Sequence, residues 1–473
     1  MVLTSESSFV RDFFDRVSEE MSRANPLMKP TSKQKSFLSF LVTAVIMFKK
    51  ISWALFERSS FGEYSKAALS WMFKKSDISW DLLLKSGVKV TLEKYDLREG
   101  TLIIDDTDKK RSKSTTKIPH THKVFDKKTS GFLMGQNVIF LILVTDKVTI
   151  PIDFAFYQPD PEFTAWNKED RRLRKLKVPK SERPKKPAEN PKFPKRITIA
   201  LKMLNQFRLN FPQFKVKSVL ADAAYGSSDF FKEAFQDQTA INVVSQLRSN
   251  QLIKHNDKWV AVSEVFKDIG LKKEVIFIRN VNQRVVHYAS VFTKIKSMKT
   301  ERLIVALKYE NESECRYIVS KYSSLEPLSV VKTYTKRWLV EVFIQDWKEH
   351  EGWGQRALQQ GVEGSHRGVI LSVLVDLCLL FHPNQFARIS KSKPACTVGS
   401  LCDHISYELI LASLKEIVFS EKPKEKFEAF SNNILKYFQP RESKKHFSGR
   451  SLRSDAEDID TPNENHTSYF STA

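Results

Sequence analysis

Apolar positions recur three and four residues apart through the first part of the chain. In "SKQKSFLSFLVTAVIMFKKISWALFERSS", "EYSKAALSWMF" and "SWDLLLKSGVKVTLEKY" they line helical faces, with Ser or Asp near the starts, so the pattern predicts a helical domain over residues 1–95. Such a domain could carry a DNA-recognition helix. From Gly100 the period shortens to that of strands: "TLIIDD" is one, and "GFLMGQNVIFLILVTDKVTIPIDFAFY" is two more around a turn near Asp146, a β-meander. Residues 168–196, "KEDRRLRKLKVPKSERPKKPAENPKFPKR", are basic and rich in proline, which excludes a regular helix or interior strand throughout, and they read as a loop. An amphipathic helix follows in "ITIALKMLNQFRLNF", then the strand "KSVLAD", a turn at Gly226, and a helix opening at Ser227, Ser228 or Asp229. That is a strand-turn-helix unit of an α/β domain.

Short β-rich runs such as "KEVIFIRN", "RVVHYASVF" and "RLIVALKY" then fill residues 246–325, read as an antiparallel insertion into that domain. Helix resumes with "YTKRWLVEVFIQDWK" over 326–385 and continues through a C-terminal helical region at 386–439. The 440–473 tail has the polar composition of a disordered end. The first part of the α/β core thus spans 96–245, interrupted by the basic loop.

Composition changes this picture in three ways. A content of 41% hydrophobic residues in 473 supports a sizeable core, and the most apolar run, "FLSFLVTAVIMF", ends at Lys49 and Lys50 short of the ~20 residues of a spanning helix. It reads as a buried helix, with no membrane partner expected. The N-terminus has no basic segment followed by an apolar one, so no signal peptide is expected. The 77 Lys and Arg exceed the 55 Asp and Glu by 22, which points to a polyanion, nucleic acid first. Cys315, Cys378, Cys396 and Cys402 show no paired spacing, so the cysteines suggest neither a disulfide framework nor a zinc site, and a reducing compartment fits.

Candidate chemistry begins with the last of these helices. At ~100° per residue Tyr334, Arg337, Glu341 and Lys348 fall within an arc of about 60° on an otherwise apolar cylinder. An Arg337–Glu341 ion pair is one reading of that stripe; one wall of a site is the other. Asp105 and Asp106 close the strand "TLIIDDTDKK", and Asp222 closes "KSVLADAAYG". Carboxylates at the carboxyl ends of strands in an α/β sheet lie where ligands bind. With Glu341 they make the acid set of a two-metal phosphoryl-transfer site, and their mutual repulsion would require the metal.

The spacing Tyr334, Arg337, Glu341, Lys348 resembles the Y-R-E-K signature of bacterial insertion-sequence transposases, "IIDDT" resembles the first-Asp motif of that group, and "VLADAAYG" resembles the second. The resemblance spans roughly residues 96–380. It implies an RNase H-like mixed sheet with flanking helices, a β-rich insertion before the Glu helix, and a DDE triad of Asp106, Asp222 and Glu341 as catalytic metal ligands. It also implies Mg²⁺, with Mn²⁺ as a substitute, and DNA contacts from Tyr334, Arg337 and Lys348. The partners implied are terminal inverted repeats and target DNA, bound by a homodimer in a synaptic complex. A cytoplasmic, nucleoid-associated setting goes with it. Strand alternation should aim only one of Asp105 and Asp106 at the site, and the group's Asp-Thr pattern favours Asp106. Another RNase H-like nuclease, or a DNA-binding derivative without activity, are the rival classes.

Lesser candidates are Lys109, Lys110, Arg111 and Lys113 as phosphate ligands or solvated charges, His120 and His122 as a surface pair, and Trp259 as a core residue or a base-stacking one.

Overall fold

The computed structural model describes residues 7–111, 117–126, 129–235, 241–279, 282–322, 325–354 and 360–439. Lys113 and the tail from 440 lie outside the described residues.

Five helices open the chain: α1 (Ser8–Ala24), α2 (Ser32–Phe48), α3 (Trp53–Ser59), α4 (Lys66–Lys75) and α5 (Trp80–Lys94). The start of α2 is set by a capping box, in which Thr31 accepts from the Gln34 backbone and the Gln34 side chain accepts from the Thr31 backbone. Every residue from Phe37 to Ile46 is buried. Helices α1 and α4 and the later helices Val362–Leu379 and Val398–Val418 surround it, and this explains a helix apolar on all faces.

Four strands follow: β1 (Glu99–Lys110), β2 (His122–Asp126), β3 (Gly131–Val144) and β4 (Thr149–Tyr157). Helix α6 (Pro161–Lys175), helix α7 (Arg196–Asn210), strand β5 (Lys215–Ala221), helix α8 (Ser228–Glu233) and strand β6 (Asn242–Leu247) complete the first half. The loop expected over 168–196 is therefore helical as far as Lys175. Asp160 caps α6, Pro161 occupies its first turn, and no proline intervenes until Pro179. Buried Asp170 then ties the helix to the stretch beyond, pairing with Arg174 at 2.8 Å and Arg183 at 2.9 Å.

Beyond β6 come β7 (Leu252–His255), β8 (Lys258–Ala261), α9 (Val262–Val265), β9 (Lys272–Ile278), β10 (Asn282–Ile295), β11 (Thr300–Tyr309) and β12 (Arg316–Ser320). The chain closes with α10 (Pro327–Thr335), α11 (Arg337–Glu349), α12 (Val362–Leu379), α13 (Pro383–Ser390), α14 (Val398–Val418) and α15 (Pro423–Tyr437).

The fold is α/β around one mixed, RNase H-like sheet. Strand β1 is central, antiparallel to β3 and parallel to β5, while β5 runs parallel to β6 and β4 lies antiparallel on the far side of β3. Leu102, Ile103 and Ile104 are fully buried, as an unbroken apolar run in a parallel pairing requires. The insertion is not a separate sheet. Strand β12 pairs antiparallel with β6, and through β11 and β10 it continues the core sheet to twelve strands.

The stretch 334–348 is not one helix. Its hydrogen-bonding pattern breaks at Lys336, so Tyr334 belongs to α10 and Arg337 opens α11. Among the described residues no single helix is long and apolar enough to cross a membrane.

Candidate active site

The parallel register of β1 and β5 sets Ile104 beside Ala221. The next residue on β5, Asp222, therefore leaves the carboxyl end of that strand level with Asp105, which lies within β1 because β1 runs on to Lys110 beside β3, so the sequence's placing of Asp105 and Asp106 at a strand end is corrected. The turn after Asp222 is held in place: its Oδ1 accepts from the Ala224 backbone N–H at 2.7 Å, and its carbonyl accepts from Ser245 Oγ of β6 at 2.8 Å. Gly226 closes that turn because a Cβ there would lie 3.0 Å from the Gln246 carbonyl oxygen and 3.1 Å from Ser245 Oγ.

Alternation does not exclude either member of the Asp105–Asp106 pair. Asp105 turns toward α11 and accepts from Arg337 at 3.0 Å, while Asp106 turns toward α7, accepting from Asn137 Nδ2 at 2.6 Å with Arg196 3.7 Å away. Strand β5 ends at Ala221, so from Asp105 onward one edge of β1 is open and a carboxylate on either face can reach round it. Asp105, Asp106 and Asp222 each present an oxygen within 4.8 Å of the others. Burial, partly offset by Arg337 and reinforced by Asp222 and Asp106, pushes the Asp105 carboxyl up to about 6. Asp106 is also raised, by burial first, against the pull of Asn137 and Arg196.

Helix α11 brings the remaining candidates close without merging them into that group. Glu341 lies 3.3 Å from the other terminal nitrogen of Arg337, so one guanidinium separates it from Asp105, and its side chain is 55% exposed. Lys348 donates to the Asp108 carbonyl at 3.0 Å, which places it against the far end of β1. Tyr334 is 1% exposed and donates its hydroxyl to Gln246 Oε1 at 2.8 Å, joining α10 to β6. Tyr334, Arg337, Trp338 and Glu341 line a cavity of about 470 Å³ whose opposite wall includes Arg284 and Arg316 of the insertion.

The lesser candidates separate clearly. Lys109 is lowered to about 8 by burial and then by Arg111 and Lys348, so three cations gather around the far end of β1. Arg111 is buried, donates to Gln136, and lies 5.2 Å over the Trp353 ring. His120 and His122 are half-buried rather than a free surface pair: His120 stacks on Phe156 at 5.1 Å and His122 meets Tyr157 edge-on. Trp259 is not core; it is 40% exposed on β8, with Lys296 5.7 Å over its ring.

Reading the sequence missed Asn137 and Arg196. The first had a signal, a polar residue within the apolar run of β3, while Arg196 was absorbed into the basic stretch although it opens α7 and lies 3.9 Å over the Tyr157 ring.

The acids suit a divalent cation. Three crowded carboxylates, two of them resisting ionisation, carry a negative charge that Arg337 and Arg196 only partly offset, and their donors are all hard oxygens of the kind Mg²⁺ takes.

Comparison with known families agrees with this chemistry. Residues 31–261 match the family described as DDE superfamily endonuclease, and residues 191–369 match the family described as Transposase DDE domain. The sequence matches no curated protein. Among solved structures the chain is similar to the piggyBac transposase in its synaptic complex with hairpin DNA, determined by cryo-EM. That likeness is at 12% identity and a TM-score of 0.43, covering 93% of this chain and 84% of that one.

Proposed function

We propose that the chain, which matches the DDE superfamily endonuclease family over residues 31–261 and the Transposase DDE domain family over 191–369, is a DNA transposase that cuts element ends and transfers the freed strand into target DNA with Mg²⁺. In this reading it belongs to the Y-R-E-K group of insertion-sequence transposases, acts as a homodimer on paired terminal inverted repeats, and accepts Mn²⁺ in place of Mg²⁺.

The observation that carries the proposal is the convergence of the Asp105, Asp106 and Asp222 carboxylates where β5 ends beside β1. Asp106, Asp222 and Glu341 hold the metal. A divalent cation held there would supply Lewis-acid chemistry, activation of the attacking oxygen and charge stabilisation of the leaving one, for an in-line displacement at phosphorus. Asn137 orients Asp106 and, with Arg196, opposes the upward push of burial on its carboxyl, and the Ala224 N–H fixes Asp222. Arg337 compensates Asp105 and positions Glu341. Lys348 and Lys109 stand where a DNA phosphate would pass, and Tyr334 supports the α10–α11 junction that presents Arg337.

A second reading gives Asp105 the third ligand position, since it lies within the carboxylate group and Glu341 lies outside it. Cleavage and binding of a terminal-repeat duplex separate the two. Asp106→Asn, Asp222→Asn and Glu341→Gln should bind the duplex and fail to nick it, whereas Asp105→Asn keeps measurable nicking. Wild-type nicking by Glu341→Gln would move the third ligand to Asp105, and wild-type nicking by Asp222→Asn would refute the site altogether.

A further inference from the structure

A second set of donor atoms gathers among the C-terminal helices. His404 and Glu408 stand one turn apart on α14, so their side chains share a face. His382, in the connection between α12 and α13, projects into the same space. Its Nε2 lies 3.2 Å from Glu408 Oε2, and His404 Nε2 lies 3.1 Å from Glu408 Oε1. One donor atom from each of the three residues falls within 4.8 Å of the others. His382 is 2% exposed, packed edge-to-face against Phe9 of α1 at 5.0 Å, and its Nδ1 has no hydrogen-bond partner. Nε2 is therefore the one polar outlet of a buried ring, and it is aimed at this group.

We propose that His382, His404 and Glu408 bind one divalent transition-metal ion, Zn²⁺ first, which fastens α14 to the α12–α13 turn. The proposal is independent of the catalytic reading. Two imidazole nitrogens and a carboxylate oxygen are a zinc donor set that leaves a fourth position for water, and imidazole selects against Mg²⁺. Ligand atoms held ~2.0–2.1 Å from a tetrahedral ion stand about 3.3 Å apart, close to both nitrogen–oxygen separations here. Two imidazoles bound through Nε2 to one such ion hold their ring centres roughly 5 Å apart. The His382 and His404 centroids are 5.8 Å apart with their planes at 82°.

The surroundings of His404 give a further reason. Its Nε2 faces Glu408 Oε1 on one side and Asn384 Nδ2, 3.2 Å away, on the other. A proton on that nitrogen would suit the carboxylate and oppose the amide N–H, and a bare lone pair would do the reverse. A cation on the lone pair satisfies imidazole and carboxylate together, and a half-turn of the Asn384 amide then directs its oxygen to the same place.

The test uses the full chain, stripped with chelator, dialysed into Mg²⁺ to fill the oxygen sites, and titrated with Co²⁺, whose tetrahedral complexes absorb visibly. One Co²⁺ per chain with a tetrahedral band, displaced by Zn²⁺, is expected. The band should vanish in His404→Ala, weaken in affinity by more than about tenfold in Glu408→Gln, and persist in Asp222→Asn. Because His404 and Glu408 are about half exposed, both variants should fold, and Zn²⁺ should raise the melting temperature of the wild type but not of His404→Ala. No tetrahedral band, a band that survives His404→Ala, or one lost in Asp222→Asn would each overturn the proposal.

Discussion

Replacing Asp222 by Asn should make the metal-free protein more stable and the metal-loaded protein less so. Asp222 stands within 4.8 Å of both Asp105 and Asp106, and unit charges at that distance repel by about 3.5 kcal/mol per pair at an effective dielectric of ~20. Two such pairs disappear on substitution. The gain is well below their sum, because Asp222 is only half-buried, Arg337 and Arg196 already offset part of the charge, and Asp105 and Asp106 resist ionisation; about 1–3 kcal/mol remains. The Asn side chain keeps an oxygen for the Ala224 N–H, so the turn itself should hold. In the wild type, Mg²⁺ at about a thousand times its dissociation constant adds roughly 4.1 kcal/mol, an increment the variant loses. Thermal melts of both proteins in EDTA and in Mg²⁺ should therefore cross: the variant melts higher in EDTA and lower in Mg²⁺. A variant that melts below the wild type in EDTA and gains as much from Mg²⁺ would refute the claim that these carboxylates share a cation.

Two further outcomes follow from groups outside the acids. Glu351 is fully buried and raised well above the carboxylate range by burial and then by Asp376, which burial itself raises to about 7. The native pair retains protons that the unfolded chain releases above its ordinary range near pH 4, so stability is greatest below that range and is lost as pH rises toward and past 7. Glu351→Gln, which mimics the protonated acid, should match the wild type near pH 4 and exceed it above pH 7 by a few kcal/mol at most, and parallel denaturation curves across that window would contradict the linkage. Gly354→Ala should destabilise by about 1–3 kcal/mol or more and impair DNA binding through α11, since the new Cβ would lie 1.5 Å from the Lys348 carbonyl oxygen; denaturant melts and gel-shift titrations check both.

The order of elements and the identity of most candidate groups were legible along the chain. Apolar runs ending in Asp marked β1 and β5, helical spacing marked the α11 residues, and the change from period 3.6 to period 2 at Gly100 marked where the sheet begins, because these are local patterns that burial imposes on consecutive residues. Local periodicity could not reveal which groups meet. Arg337 reaches Asp105 across 232 residues of sequence, a contact created by the parallel register of β1 and β5 and the seat of α11 beside β1. The same long-range packing brought Asp105 and Asp106 to one edge from opposite faces and separated Tyr334 from Arg337 by a one-residue break. It also gathered His382, His404 and Glu408 from two helical segments that no spacing rule connects. Residue types and their local faces were thus determined by sequence alone, whereas partners, and with them charge states and candidate chemistry, were decided by strand register and helix docking, whose free energy comes from contacts between distant parts of the chain.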